Sequence, residues 1–272
     1  MELKVLRSIS PYPKDNKNGV SNLITDGKYK ILLDCGTGST RFLNMEQDLN
    51  NLVIIISHLH KDHYSDLLAL GYASYVNHNL GYLDKRIPVY IPSGDKVDKD
   101  ECYGSNDEGW GIKTLKVNLP DYEYLKNFGH EHFLRFIDYD YNTELTYGKL
   151  KCEFALNPHQ LNTYSIRIEK GKQSLVYSAD TGLDNNVLTE LAENADLLIC
   201  ESTFLKGQNK KSDNHLYAYE AAQIAKEANV KKLLLTHFYP EIDKQRYVDE
   251  AKSIFKNVQA AEEGKVYKIG GK

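Results

Sequence analysis

Three imidazoles and a carboxylate fall within six residues, His58-Leu59-His60-Lys61-Asp62-His63. Neutral imidazole and carboxylate are preferred ligands of zinc and similar divalent ions. Packing has no use for four such groups directly after the apolar run Leu52-Val53-Ile54-Ile55-Ile56. The chemistry this spacing predicts is a metal site that activates water for hydrolysis. The same residue types recur singly downstream: His159 after Asn157-Pro158, Asp180 within Ser178-Ala179-Asp180-Thr181-Gly182, then Glu201, His215, and His237 after Leu235-Thr236. Each has a plainer reading. His159 and Asp180 fit turns or caps, His237 a core histidine, His215 an ordinary helix start, and Glu201 a structural hydrogen-bonder.

The elements that must position these groups are legible in outline. Residues 3–9 read as a strand and 10–19 as a loop. Residues 21–25 and Tyr29–Leu33 form a hairpin about Asp26-Gly27, which runs into Asp34-Cys35-Gly36. Residues 53–57 are a buried-type strand ending at the histidine cluster. A helix over 65–77 follows, with Ser65 and Asp66 as caps. Residues 89–91 and Leu150–Leu156 are further strands, and the polar, tyrosine-rich stretch between them has no clear period. Residues 163–169 and 174–178 pair about Lys170-Gly171-Lys172. Then come a short helix at 185–192, a strand at 196–200, and a helix at 216–228 capped by Asp213 or Asn214. A strand at 232–235, a helix at 244–257 and a strand at 266–269 complete the order. Residues 31–36 resemble 176–182, and each segment is followed by a helix and a buried strand. The strands at 53–57, 196–200 and 232–235 all end on a ligand-capable residue. In α/β proteins functional groups gather at the carboxyl ends of strands. The pattern predicts two similar α/β halves facing one another, with the site between their sheet edges.

Composition bounds the rest. A chain of 272 residues can be one large domain or two fused halves, and residues 1–272 are read as one domain. The apolar and charged fractions, 41% and 26%, are those of a soluble globular protein. A net charge of −4 argues against bulk capture of nucleic acid, while leaving room for a local basic patch. The cysteines, Cys35, Cys102, Cys152 and Cys200, are far apart and suit a reduced, intracellular chain. No leader-like start is present, and no apolar run approaches the ~20 residues of a membrane span. The expectation is a cytoplasmic protein with no membrane contact, and a homodimer is compatible with it. His130-Glu131-His132 reads as a solvated pair, and residues 206–211 with Lys231-Lys232 as solvated surface rather than an RNA patch. The tyrosines at 103–147 and Trp110 suit a base-stacking platform, core packing or a covering flap equally.

The motif series Leu33-Asp34-Cys35-Gly36, His58–His63, Pro158-His159, Ser178–Gly182, Glu201-Ser202-Thr203-Phe204, His215 and Leu235-Thr236-His237-Phe238 resembles the metallo-β-lactamase-fold hydrolase superfamily. Within it, the order is most similar to the ribonuclease Z-like phosphodiesterase branch. The resemblance implies an α/β fold, a four-layer αββα sandwich built from two similar halves, and two divalent metal ions: zinc, manganese or iron. It assigns His58, His60 and His159 to the first metal, and Asp62, His63 and His237 to the second, with Asp180 bridging. Asp34 would brace the histidine loop. The metals would activate a shared water, and Asp62 could take its proton. His215 would contact the scissile phosphate or aid the leaving group, oriented by Glu201.

Two features depart from that branch. Only twenty residues separate His159 from Asp180, and a hairpin consumes nearly all of them, so the long arm that docks tRNA has no room. His215-Leu216-Tyr217 also has tyrosine where the branch has threonine or serine. A segment at about 95–150 is the candidate substrate cover. The reading is a dinuclear phosphodiesterase acting on a small phosphodiester or cyclic nucleotide. The alternatives are a ribonuclease Z-type nuclease on RNA or single-stranded DNA, a lactone or thioester hydrolase on the same centre, and a metal-sensing or scaffold protein.

Overall fold

The computed structural model describes residues 1–15, 17–93, 119–183, 186–208 and 214–270. In chain order the strands are β1 (Glu2–Ser8), β2 (Val20–Asp26), β3 (Tyr29–Leu33), β4 (Leu52–Ile55), β5 (Ile87–Pro92), β6 (Leu134–Tyr139), β7 (Leu145–Tyr147), β8 (Leu150–Leu156), β9 (Tyr164–Lys170), β10 (Gln173–Tyr177), β11 (Leu197–Glu201), β12 (Leu233–Thr236), β13 (Val258–Ala260) and β14 (Val266–Lys268). The helices are α1 (Met45–Asp48), α2 (Lys61–Tyr64), α3 (Leu67–Asn79), α4 (Leu119–Glu131), α5 (Val187–Leu191), α6 (Ala218–Glu227) and α7 (Lys244–Lys252).

The strands form two sheets, ordered β14-β1-β2-β3-β4-β5-β6 and β13-β12-β11-β10-β9-β8-β7. In the first, β14 through β3 run antiparallel and β3 through β6 parallel. In the second, β7 through β10 run antiparallel and β10 through β13 parallel. Both sheets follow one plan, and β14 takes the place in the first that β7 takes in the second. This is the pair of similar halves that the sequence predicts.

Strand alternation builds the layers. On β3, Ile31 and Leu33 enter the core shared with the second sheet, while Leu32 packs with Leu67 and Leu70 of α3. Val53 and Ile55 on β4 face the shared core, and Leu52 and Ile54 face the helices. On the other side α6 lies against β11 and β12. Its buried Ala218, Ala221, Ala222 and Ala225 allow close approach. The result is the expected αββα sandwich.

Several boundaries differ from the sequence reading, each for a local reason. Asp66 stands at the N-cap of α3 without capping it. Its Oδ2 accepts from Thr40 N and Thr40 Oγ1, both at 2.7 Å, tying down the loop after β3. Neither Asp213 nor Asn214 starts α6: residue 213 lies outside the described residues, and Tyr217 is the N-cap. A bridge between Phe204 and Tyr217 keeps that residue extended, and Glu220 Oε2 accepts its N–H at 2.9 Å. The last helix ends at Lys252, because the Ile254 and Phe255 amides both turn back onto Ala251 O. The short β13 then follows, which the sequence reading lacks.

Of the stretch at 95–150, residues 95–118 lie outside the described residues, with Tyr103 and Trp110 among them. Residues 119–150 are built into the sandwich as α4, β6 and β7. Tyr139 is buried and donates to Ile56 O at 2.9 Å, and Tyr147 meets Tyr29 edge-on at 5.2 Å. These tyrosines are packing groups. No described helix is long and apolar enough to cross a membrane.

Candidate metal centre and its catalytic pair

The site residues expected from the sequence arrive at one end of the sandwich, all at the carboxyl ends of strands from both sheets except His215, which comes from the segment before α6. Asp34 follows β3 and His58–His63 follow β4; His159 follows β8, Asp180 follows β10, Glu201 closes β11 and His237 follows β12. Three of these loops leave their strands in the left-handed region, at Asp34 (φ 57°), Ala179 (φ 51°) and His237 (φ 61°). Such conformations cost a non-glycine residue of order 1 kcal/mol or more and collect where a site must be aimed.

The ligand atoms fall into two groups. His58 Nε2 lies 2.9 Å from His60 Nδ1, and His159 Nε2 lies 3.2 Å from the same atom. Asp180 Oδ2 faces this group, 3.6 Å from His58 Nε2 and 4.0 Å from His159 Nε2. The other oxygen, Oδ1, faces the second group, 3.3 Å from His63 Nε2 and 3.0 Å from His237 Nε2. Asp62 Oδ2 completes that group, 3.6 Å from each of the same two nitrogens. One carboxylate thus divides its oxygens between two three-residue clusters. His63 Nε2, His237 Nε2 and Asp180 Oδ1 are buried and have no hydrogen-bond partner, unlike nearly all other buried polar side-chain atoms among the described residues. Buried polar atoms left unpaired are costly, and a cation between them removes that cost. The donor set therefore fits two divalent ions.

The charges agree. Burial and the neighbouring His63 push the His58 pKa well down. His60 is pushed down to about 4, mainly by burial and His159. Burial also opposes charge on His63 and His237, but carboxylates outweigh it. Asp180, Asp62 and Asp34 raise the first, and Asp180 leads in raising the second to about 10. The carboxylates that favour positive charge on these two rings are the ones that would favour a cation beside them. The sign follows. A group raised from about 6.5 to about 10 on folding stabilises fully below pH ~6.5 and loses that effect as pH rises through ~10. Chelator-treated protein should therefore show a falling urea midpoint between pH 6.5 and 10. Metal-loaded protein should not, because protons compete with metal and binding strengthens as they leave.

Outer contacts fix the ligands. Asp34 Oδ2 accepts from His63 Nδ1 at 2.7 Å, Tyr177 OH at 2.6 Å and Ser57 Oγ at 2.9 Å, and its Oδ1 from Ser57 N at 2.7 Å. The Ser57 hydroxyl in turn receives His58 Nδ1 at 3.1 Å. His159 Nδ1 donates to Asn214 O at 2.9 Å. The buried Ser10 hydroxyl donates to Asp62 Oδ2. Gly36 is where the backbone comes closest, since a Cβ there would lie 2.0 Å from Asp62 O and 2.6 Å from Val20 N. Gly36→Ala should push the 60–63 turn outward, costing about 1–3 kcal/mol of stability and weakening metal binding. Thermal melting with and without chelator checks both.

His215 and Glu201 are in contact. His215 Nδ1 donates to Glu201 Oε1 at 2.8 Å, and the same nitrogen lies 4.0 Å from Asp180 Oδ2. Burial works against charge on His215, yet Glu201 outweighs it and raises the pKa. The Glu201 pKa is lowered: burial opposes this, and His215 outweighs it. Glu131 and His132 take no part in this cluster. The His132 ring stacks on Phe128 at 3.9 Å with Nδ1 on Phe128 O, and the side chain of residue 130 lies outside the described residues. Lys231 pairs with Asp196, and Lys232 lies over the Tyr267 ring at 5.1 Å; residues 209–211 are not described. Sequence reasoning missed Ser10, Ser57, Thr203 and Tyr177. Only Ser57 and Thr203 carried a hint, being adjacent to or near a named ligand in the chain.

The αββα fold and the histidine–aspartate cluster define a metallo-hydrolase. The family model for the beta-lactamase superfamily domain matches residues 29–238, and the chain belongs to that family. It is 27% identical to the probable metallo-hydrolase YhfI of Bacillus subtilis over 269 residues, covering 98% of this chain and 99% of that one. The YhfI crystal structure superposes with a TM-score of 0.80. The chain is 28% identical to ribonuclease Z of Archaeoglobus fulgidus, covering 92% of each. The human short-form tRNase Z, 20% identical, shares the fold over 99% of this chain and 100% of its own, at a TM-score of 0.71.

Proposed function

We propose that this metallo-hydrolase is a phosphodiesterase acting on a small phosphodiester, such as a cyclic nucleotide, with two divalent ions, zinc, manganese or iron, in the clusters above. The observation that carries the reading is the Glu201–His215 pair beside the shared Asp180 carboxylate. When bound, the two ions would supply a water of lowered pKa and offset charge on the phosphoryl oxygens. Asp62, largely buried and held by Ser10, is placed to take a proton from that water. His215, whose Nδ1 is held by Glu201 and whose pKa that carboxylate raises, is placed to give a proton to the departing oxygen. Between β9 and β10 the chain makes a tight hairpin, with Lys170 paired to Gln173, so no tRNA-docking arm arises there. That supports a small substrate. Buried, unbridged Cys35, Cys152 and Cys200 support a reduced, cytoplasmic location.

The test is turnover of bis(p-nitrophenyl) phosphate and a panel of cyclic nucleotides by metal-loaded protein. Absence of turnover on all of them, with metals bound, sinks the proposal. The likeness to ribonuclease Z keeps a nuclease as the second reading. Faster cleavage of an oligonucleotide or tRNA precursor than of any small diester, with salt-sensitive binding, would put that reading first.

A further inference from the structure

Two carboxylates brace the centre by the same scheme. Asp34 holds His63 directly and His58 through the Ser57 hydroxyl. Glu201 holds His215 directly through Oε1, and its Oε2 accepts from Thr203 Oγ1 at 2.8 Å and Thr203 N at 3.2 Å. The Thr203 hydroxyl also lies 2.8 Å from His237 Nδ1, with His215 Nδ1 more distant at 3.4 Å. A hydroxyl has one proton to donate. Since the carboxylate can only accept, that proton goes to Glu201, and the hydroxyl oxygen must accept from His237 Nδ1. This fixes the His237 tautomer and turns its orphaned Nε2 toward Asp62 and Asp180.

We infer that Thr203 is a positioning residue that joins the second metal's ligand His237 to the Glu201–His215 pair, so that one carboxylate aims both the metal ligand and the proton donor. The inference rests on the dinuclear reading above. Ligand-orienting hydrogen bonds of this kind typically carry 10–100-fold in metal affinity. Thr203→Val keeps the shape of the side chain and removes the hydroxyl, leaving the His237 Nδ1–H without an acceptor. Thr203→Ser restores it.

The experiment is stepwise metal binding by chelator competition, with zinc and with cobalt as a visible probe, on wild-type protein and both variants. A proton NMR spectrum follows the downfield His237 Nδ1–H signal. The expected result is that Thr203→Val weakens the second metal about 10–100-fold and leaves the first, held by His58, His60 and His159, within a few-fold. The Nδ1–H signal should be lost by exchange, and Thr203→Ser should recover both. Unchanged affinity of Thr203→Val for the second metal overturns the inference, as does equal weakening of the two or failure of serine to rescue. Wild-type protein that binds fewer than two ions would overturn the dinuclear reading itself, and this inference with it.

Discussion

Asp180→Asn should lose roughly three decades of turnover and bind at most one metal tightly. The carboxamide offers one oxygen ligand, and its nitrogen, already carrying two protons, cannot serve the other cluster. Whichever way the amide turns, either Oδ2 opposite His58 and His159 or Oδ1 opposite His63 and His237 is replaced. Metal-derived charge stabilisation is worth several kcal/mol, and each 1.36 kcal/mol is tenfold in rate, which gives the size of the loss. Metal stoichiometry after dialysis and single-turnover rates check it. A variant that retains two tightly bound ions and near-normal turnover would show that Asp180 does not bridge.

His215→Ala should spare the metals and damage the chemistry selectively. The ring donates to Glu201 and lies beside Asp180 without belonging to either three-residue cluster, so both ions should remain. Loss of a positioned general acid typically costs 10²–10⁴-fold. For a diester with a poor leaving group, such as a ribose oxygen, a fall of at least ~10–100-fold is expected. A p-nitrophenyl ester, whose leaving group departs unaided, should suffer less. That contrast between substrates separates proton donation from general damage. If the same centre hydrolysed lactones or thioesters instead, the alanine variant would act on them almost as the wild type does. The wild-type rate should also fall as pH rises through the raised pKa of His215, and Glu201→Gln should move that fall to lower pH, because the carboxylate is what outweighs burial.

The candidate ligands were legible as a group because metal chemistry permits few residue types, and because each follows a strand whose apolar run is itself readable. His58–His63 after β4 and His237 after β12 are of this kind. Ser10 was not readable, and the role of Thr203 was hinted at only by its place near Glu201. Hydroxyl residues are common, and their roles depend on which carboxylate lies within 3 Å once the sheets have formed: Ser10 reaches Asp62 across fifty-two positions in the chain. The region 119–150 failed for another reason. In α4, Tyr122, Tyr124, Phe128 and Gly129 interrupt the helical pattern, and tertiary contact decides, with the ring of Phe136 filling the space above Gly129. Asp66 failed as a cap because its side chain has a partner elsewhere, in Thr40.

Besides the apolar core they share, two features tie the halves of this protein together. One is β14, which leaves the second half to pair with β1 in the first, Val266 opposite Lys4 and Lys268 opposite Glu2. The other is the cluster itself, where residues 58–63 come from one sheet and His159, Asp180 and His237 from the other. A cation shared across that boundary acts as a reversible cross-link. Free metal at a hundred times its dissociation constant adds about 2.7 kcal/mol of resistance to unfolding, and all of it is applied where the halves meet. Ions that serve the reaction would thus also help hold the two halves together.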